Sequence, residues 1–284
     1  IFTTATISMT TSSTPGYLRV VDGKTGTEKW DASADAYLSE NRVQTIFGPA
    51  LADLDGDGSI EIVTMGYSGQ ILAFEATGKL KWRSTNSGGS AATFSLWGSS
   101  ISLADLDGDG YGEVVLGAAI LGHDGVVISG ASQAGAGGLS YAGNGSLHSS
   151  SSIVADVDGD GKQEVVTGSA AYRMDGTTVW TNSDGDGFPA VADFDGDGKA
   201  ELVVTTRTEL RVHDLASGVL ITSTALGASE GGPPVIADFD GDGTPEIGVQ
   251  PVCTFMSFEF DATAKTLTKA WERPLVACSG FFTA

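Results

Sequence analysis

Short apolar runs alternate with acidic, glycine-rich turns along most of the chain. Apolar residues at 191–192 and 235–237 each precede an acidic turn, and runs such as Glu-Ile-Val-Thr at 61–64 and Glu-Leu-Val-Val-Thr at 201–205 follow one. Short runs rich in β-branched residues and bounded by glycine and aspartate are typical of strands, not of helices. The pattern therefore predicts that each acidic turn joins two β-strands.

The acidic turn occurs five times, beginning at residues 53, 105, 156, 193 and 238, with spacings of 52, 51, 37 and 45 residues. A second motif also repeats, a strand, a Gly/Asp/Thr turn and a strand, at 17–30, 68–82, 172–180, 209–221 and 257–271, with a weaker copy at 123–130. Each copy of the second motif predicts a hairpin. Repeats of this length built from strands are typical of propeller blades with four strands each.

We therefore predict an all-β fold, a β-propeller of four-stranded blades that forms a single domain over residues 1–284. Six hairpins indicate six blades, and seven or eight are possible if the chain is a fragment. The first hairpin has no acidic turn before it, so residues 1–9 are predicted to supply its preceding strand. The end of the chain, 279–284, resembles 187–190. We expect it to pair with the N-terminal strand, which closes the ring and removes open sheet edges.

Each acidic turn carries carboxylates at relative positions 1, 3, 5 and 9. Alternate aspartates can direct oxygens at one centre if glycines let the backbone curl, and carboxylate and carbonyl oxygens without His or Cys favour Ca²⁺. An EF-hand needs a carboxylate at position 12, where this chain has Thr64, Leu116, Thr167, Val204 and Val249. The predicted ligands are the four side chains and the backbone carbonyl at position 7 of each loop: Asp53, Asp55, Asp57, Ser59, Glu61; Asp105, Asp107, Asp109, Tyr111, Glu113; Asp156, Asp158, Asp160, Lys162, Glu164; Asp193, Asp195, Asp197, Lys199, Glu201; and Asp238, Asp240, Asp242, Thr244, Glu246.

The charge of the chain agrees with this assignment. Its 284 residues carry a net charge of −21, from 15 basic and 36 acidic residues, and 20 of those acids are predicted ligands. So few basic residues and so large a negative charge argue against a nucleic-acid partner. No apolar run reaches the length of a membrane span. No signal peptide is visible and the chain begins at Ile1, so we expect a mature or trimmed form. At roughly 1 mM free calcium, each site with a dissociation constant near 10⁻⁴ M adds about 1.4 kcal/mol to the stability of the folded protein. In a cytosol low in calcium the five sites would be empty and their carboxylates would repel one another, so we expect a secreted or cell-surface location.

The repeated Asp-x-Asp-Gly-Asp-Gly-x-x-Glu between apolar strands resembles the FG-GAP and VCBS repeats of integrin α-like β-propellers. That resemblance implies calcium in the loop between the first two strands of each blade, and adhesion, lectin-like binding or another recognition role outside the cell. The first blade departs from the pattern, since it has no acidic loop. The hairpin at 17–30 also resembles repeats of quinone-dependent dehydrogenase propellers, but the cofactor-binding features of those enzymes are not recognisable.

Other candidate residues leave alternatives open. His123, His148 and His213 lie in different repeats and form no catalytic set, and we expect His213 to be a turn or surface residue. Trp30, Trp82, Trp180 and Trp271 recur at one place in the hairpin, where they either pack between blades or stack on sugars. Trp97 lies outside this series. Cys253 and Cys278 are either a disulfide or two buried thiols.

We therefore predict a calcium-stabilised module that binds a protein or glycan ligand and serves in adhesion. Two alternatives remain: a polysaccharide lyase or hydrolase built on the same ring, and a structural repeat of a larger surface assembly or filament.

Overall fold

The computed structural model describes residues 2–5, 15–31, 41–44, 47–94, 100–129, 151–227, 232–251 and 253–275. Its regular elements are 24 β-strands, and these residues contain no α-helix. The strands form six antiparallel sheets of four strands each. The all-β prediction and the count of six four-stranded units are confirmed.

The first sheet contains the strands β1 to β4, with β2 at its centre. Strand β1 pairs with β2 from Phe2 opposite Arg19 to Ala5 opposite Gly16, which confirms the predicted strand before the first hairpin. Strand β4 pairs with the start of β2. The bounds are β1 Phe2–Ala5, β2 Pro15–Val21, β3 Glu28–Asp31 and β4 Val43–Gln44.

The other five sheets run in simple chain order, each strand pairing with the next. The second sheet has β5 Ala50–Ala52, β6 Glu61–Met65, β7 Ile71–Phe74 and β8 Leu80–Arg83. The third has β9 Ser102–Ala104, β10 Glu113–Leu116, β11 Ala119–Leu121 and β12 Val127–Ser129. The fourth has β13 Ile153–Ala155, β14 Glu164–Val166, β15 Ala170–Tyr172 and β16 Thr178–Thr181. The fifth has β17 Phe188–Ala192, β18 Glu201–Thr205, β19 Glu209–Asp214 and β20 Leu220–Ala225. The sixth has β21 Val235–Ala237, β22 Glu246–Val249, β23 Thr254–Asp261 and β24 Thr266–Pro274.

Each acidic turn connects the first and second strands of one of these five sheets, as the alternating pattern predicts. The second and third strands, which lie inside each sheet, are the most buried: every residue of β6, β7, β10 and β11 is buried, and so are all four of β22. Each acidic turn therefore ends on an inner strand of its sheet.

In all six sheets, the two strands of the predicted hairpin pair through a register shift of the β-bulge type. These are β2 and β3 in the first sheet and the third and fourth strands in the other five. In the second sheet, Ala73 lies opposite Trp82 and Phe74 lies opposite Leu80. Lys81 is therefore the extra residue on its strand. An extra residue leaves the regular ladder and can direct its side chain away from the usual face.

The described residues divide into two compact units, one with the described residues between 2 and 129 together with 174–177, and one with 151–173 and the described residues between 178 and 275. In the first unit, apolar clusters lie between the first and second sheets and between the second and third sheets. In the second unit, they lie between the fourth and fifth sheets and between the fifth and sixth sheets. Face-to-face packing of consecutive sheets thus forms the core of each unit, and a single domain over residues 1–284 stays a prediction.

Residues 279–284, which we predict to close the ring, lie outside the described residues. Cys253 is disulfide-bonded, and Cys278, the only other cysteine of the chain, also lies outside them. Among the residues that the structure describes, no helix has the length and apolar character that crossing a membrane requires.

Candidate metal centre

The five acidic loops share one network of backbone hydrogen bonds. In the fourth loop, Gly196 N–H donates to Asp193 Oδ1 at 2.7 Å and Gly198 N–H donates to Asp193 Oδ2 at 2.9 Å. Gly198 has φ of +85°, which L side chains rarely adopt, so glycine lets the chain fold back over the first aspartate. These bonds lower the pKa of Asp193, chiefly through Gly198. The first aspartates of the other loops accept the same N–H group at position 6, from Gly58, Gly110, Gly161 and Gly243.

The glutamate at position 9 ties the loop to the second strand. One of its oxygens accepts the N–H of the residue at position 2, as Glu113 Oε2 does from Leu106 at 2.9 Å. The other four glutamates repeat this bond at 2.6 to 3.1 Å, in the pairs Leu54 with Glu61, Val157 with Glu164, Phe194 with Glu201, and Phe239 with Glu246. Four of the glutamates are almost fully buried: Glu61, Glu113, Glu164 and Glu246. The bond uses one oxygen of each glutamate. In Glu246 the other oxygen has no donor among the described residues, whereas in Glu61 it accepts a hydrogen bond from Lys81 Nζ at 3.2 Å.

The residue at position 7 plays a part that the sequence does not show. Its N–H donates to the aspartate at position 5, as Thr244 does to Asp242 Oδ1 at 2.7 Å. The other four loops have the same bond at 2.7 or 2.8 Å, from Ser59, Tyr111, Lys162 and Lys199. The bond orients the third aspartate of the loop, and ligation by the carbonyl at position 7 stays a prediction.

The loops bring their carboxylates together to different extents. In the last loop, all four predicted carboxylates place one oxygen each within 4.8 Å of the others. In the other loops, three of the four do so. The convergent sets are Asp238, Asp240, Asp242 and Glu246; Asp53, Asp55 and Asp57; Asp105, Asp107 and Glu113; Asp156, Asp158 and Glu164; and Asp193, Asp195 and Asp197.

The last loop has the donor set that best fits a hard divalent cation. Glu246 is 1% exposed, and no described residue donates a hydrogen bond to its Oε1. A buried carboxylate oxygen without a partner is costly. Burial, together with Glu246, Asp240 and Asp242, raises the pKa of nearby Glu259. Such a concentration of negative charge around an unpartnered oxygen is what a bound Ca²⁺ would relieve.

In the second, third and fourth loops, burial and the neighbouring aspartates both disfavour the charged form of the glutamate. Burial raises the pKa values of Glu113, Glu164 and Glu201, and the aspartates of each loop raise them further. The free carboxylates of each loop therefore repel one another. A cation at the centre would favour the charged form of all of them.

In the part of the chain that the structure describes, Lys81 and Arg173 form salt bridges with carboxylates of these loops, which the sequence does not predict. Lys81 Nζ lies 2.7 Å from Asp55 Oδ2 and 3.2 Å from Glu61 Oε1 in the first loop. Burial acts to lower the pKa of Lys81, but its hydrogen bonds to carboxylates outweigh burial and raise that pKa above its ordinary value. Arg173 pairs with Asp158 in the third loop, where the basic side chain is more exposed than Lys81 is. No sequence signal separates Lys81 from Lys29, which precedes a tryptophan in the same way.

The prediction for His213 is wrong. The residue lies within β19 and is fully buried, because the hairpin strand places it under the turn that follows. Its Nδ1 lies 3.2 Å from the carbonyl oxygen of Gly218, so Nδ1 must carry the proton. No described residue bonds to Nε2, and burial lowers the pKa of the ring. His148 lies outside the described residues.

Three of the four repeated tryptophans pack on a neighbouring hairpin. The indole N–H groups of Trp30, Trp82 and Trp180 each donate a hydrogen bond of 2.8 Å to a backbone carbonyl in a turn of the following sheet. The accepting residues are Ala76, His123 and Leu215, in that order. Trp271 instead stacks on Phe255 of its own sheet, with ring centroids 5.6 Å apart. This arrangement supports packing as the role of the first three. Trp97 lies outside the described residues.

Comparisons with known proteins agree with this geometry. The FG-GAP-like repeat family matches residues 53–116 and 193–249, which contain the first two and the last two acidic loops. Among curated protein sequences, none matches this chain.

Solved structures resemble the fold over nearly the whole chain. The biofilm matrix protein Bap1 of V. cholerae matches with a TM-score of 0.62 at 19% identity, over 94% of this chain and 52% of that one. The exotype rhamnogalacturonan lyase YesX matches with a TM-score of 0.57 at 19% identity, over 91% of this chain and 46% of that one. The rhamnogalacturonan lyase PL11 of Bacillus licheniformis matches with a TM-score of 0.56 at 20% identity, over 90% of this chain and 44% of that one. This chain therefore spans about half the length of each.

Identities this low show a shared fold and nothing about activity. Together, the six four-stranded sheets and the five acidic loops identify the chain as an all-β protein with a propeller-type fold, and its residues 53–116 and 193–249 match the FG-GAP-like repeat family.

Proposed function

We propose that this protein is a secreted or cell-surface propeller module that is stabilised by calcium and binds a protein or carbohydrate ligand in adhesion. The observation that carries the calcium part is Glu246 in the last loop. Its buried Oε1 has no donor among the described residues, and three aspartate carboxylates converge beside it.

Calcium would be held by the carboxylates at positions 1, 3, 5 and 9 of each loop, with the carbonyl at position 7 as a further ligand. These oxygens are hard donors, and the loops contain no thiolate or imidazole that would favour zinc or copper. When bound, the ion supplies positive charge that neutralises the converging carboxylates. It would thereby fix the connection between the first and second strands of each sheet.

Two observations support a location outside the cell. Cys253 is disulfide-bonded, and disulfides persist in oxidising compartments. Loops of this kind also need calcium near the millimolar level, which extracellular fluids provide. Bap1, a neighbour in fold, is a biofilm matrix protein, and that role supports adhesion as the purpose of this module.

A second candidate function is action on a polysaccharide. Two neighbours in fold are rhamnogalacturonan lyases, which favours this candidate over other enzymes. It requires acidic and basic groups that converge on a substrate. The buried position of His213 removes that residue as an accessible acid or base.

The calcium part is tested by isothermal titration of Ca²⁺ into chelator-treated protein, and by thermal unfolding with and without calcium. We expect several sites and a higher unfolding midpoint in calcium. The substitution Glu246→Gln should weaken one site, while Glu272→Gln, an exposed residue of the same sheet outside the loop, should not. If calcium releases no binding heat and leaves the midpoint unchanged, the calcium part is wrong.

The recognition part needs a separate experiment. A glycan array probed with and without calcium would detect carbohydrate binding. A parallel screen of acidic polysaccharides, read by the appearance of unsaturated or reducing ends, would detect cleavage. Binding without cleavage supports the adhesion module, whereas calcium-dependent cleavage supports the enzyme and contradicts our leading proposal.

A further inference from the structure

The first acidic loop differs from the last in what faces its carboxylates. The ammonium group of Lys81 lies 2.7 Å from Asp55 Oδ2 and 3.2 Å from Glu61 Oε1. A third carboxylate, Glu75 Oε1 from the turn between β7 and β8 of the same hairpin, lies 3.3 Å away. The lysine side chain is 17% exposed, so these contacts are largely shielded from water.

Lys81 reaches the loop because of its place in the sheet. It is the extra residue of the β-bulge between β7 and β8, and it immediately precedes Trp82, whose ring is held by the next hairpin. The corresponding bulge residues in the four other sheets with acidic loops are uncharged: Ile128, Val179, Ile221 and Ala270. The lysine is therefore a feature of one loop and not of the repeat.

The ammonium group uses the same oxygens that a divalent ion would need. Asp55 and Glu61 are at positions 3 and 9 of the loop, and Glu61 is absent from the convergent set there. In the last loop, the equivalent Glu246 joins the convergent set, and no described residue donates to its Oε1. At the second oxygen of the position-9 glutamate, the first loop thus has a built-in cation and the last loop has no donor, although Asp55 Oδ1 of the first loop also has no donor among the described residues.

We propose that Lys81 is an internal cation that competes with calcium for the first loop, so that the loop keeps its form at low calcium and binds calcium much more weakly than the last loop. This inference rests on the proposed calcium function. The loops would then respond to calcium in order: the last loop fills first and the first loop fills last, only after the ammonium group is displaced.

Arg173 in the third loop is the weaker version of the same arrangement. Among the described residues, its guanidinium forms a salt bridge with Asp158, and the Arg173 side chain is 42% exposed, against 17% for Lys81. Exposed pairs are screened by water and ions and contribute little. We therefore expect calcium to displace Arg173 more easily than Lys81.

The test compares Lys81→Met with the wild type and with Lys29→Met. Lys29 occupies the same bulge position in the first sheet, which has no acidic loop, and its nearest carboxylate is Asp22 at 3.7 Å. Two measurements are needed on each protein: calorimetric calcium titration, and the unfolding midpoint in chelator and in calcium.

For Lys81→Met we expect one additional calcium site, or at least about a tenfold gain in affinity at one site, because a positive charge close to the ion is removed. We also expect a lower midpoint in chelator and a larger rise on adding calcium. Lys29→Met should match the wild type in both measurements.

The outcomes separate this inference from the proposed function. If the wild type binds calcium and Lys81→Met has the same stoichiometry, affinities and calcium-induced rise, the lysine inference is wrong and the calcium function stands. If neither protein binds calcium, both are wrong.

Discussion

Replacement of Gly125 by alanine should destabilise the protein more than the same replacement at a glycine of equal backbone geometry. Gly125 has φ of +80° in the turn after β11, and Trp82 of the preceding sheet lies flat against it. A Cβ atom at this position would lie 2.4 Å from Trp82 Cε3. Contacts this short do not occur, so the indole or the turn has to move.

Gly89 provides the matched control. Its φ is +78°, it belongs to the same compact unit, and a Cβ added there meets nothing within 4 Å. Both alanine variants adopt the left-handed conformation, at a cost of about 1–2 kcal/mol. Only Gly125→Ala adds a steric clash, which costs about 1–3 kcal/mol when a packed site is overfilled.

The clash also threatens a hydrogen bond. Trp82 Nε1 donates to the carbonyl of His123 at 2.8 Å, and its loss costs about 0.5–1.5 kcal/mol. We therefore expect Gly125→Ala to lower the free energy of unfolding by about 3–5 kcal/mol, against about 1–2 kcal/mol for Gly89→Ala.

The assay is urea unfolding monitored by tryptophan fluorescence and by circular dichroism, in excess calcium so that loop occupancy is constant. The variant Trp82→Leu completes a double-mutant cycle. In that background the clash is absent, and Gly125→Ala should cost no more than Gly89→Ala. Equal destabilisation by the two alanines in the wild-type background, or an undiminished cost in the Trp82→Leu background, would refute the packing argument.

Three further predictions follow from the structure. Burial lowers the pKa of His213 in the folded protein, so the unfolded chain takes up a proton more readily than the folded one. The stability contributed by the neutral ring is therefore fully present above the unfolded-state pKa of about 6.5 and is lost below it, by at most about 1.4 kcal/mol per pH unit. His213→Asn, which can keep the bond to Gly218, should therefore show a shallower fall of unfolding free energy between pH 7 and pH 5, and an equal fall would contradict this. Trp180→Phe should cost about 1 kcal/mol in urea unfolding, since it removes the bond to the carbonyl of Leu215, and no cost would show that this bond is not stabilising. Chelation should lower the thermal midpoint reversibly, with each site of 10⁻⁴ M dissociation constant contributing about 1.4 kcal/mol at 1 mM calcium, and magnesium at the same concentration should restore less.

The candidate site could be predicted in part because its determinants are local. Four carboxylates within nine residues, with glycines between them, define a loop whose curvature and donors depend on neighbouring residues alone. The network of N–H bonds to the first aspartate repeats in all five loops for that reason. What could not be predicted is how the loops differ, because they are identical at the four ligand positions.

That difference depends on residues distant in the chain. Lys81 reaches Glu61 across 20 residues, through the register of a bulged strand that no local pattern encodes. His213 was misassigned for a related reason. The Asp-containing turn beside it indicates exposure, whereas packing of the hairpin buries the ring completely.

The strands, the acidic turns between them and the six hairpins could be predicted from the sequence, because alternation of apolar residues and turn chemistry act over a few neighbours. Which carboxylates converge, which of them contacts a lysine and where each tryptophan packs depend on the folded structure. The indole bonds span 46, 41 and 35 residues, and contacts at such separations arise only when consecutive sheets pack face to face.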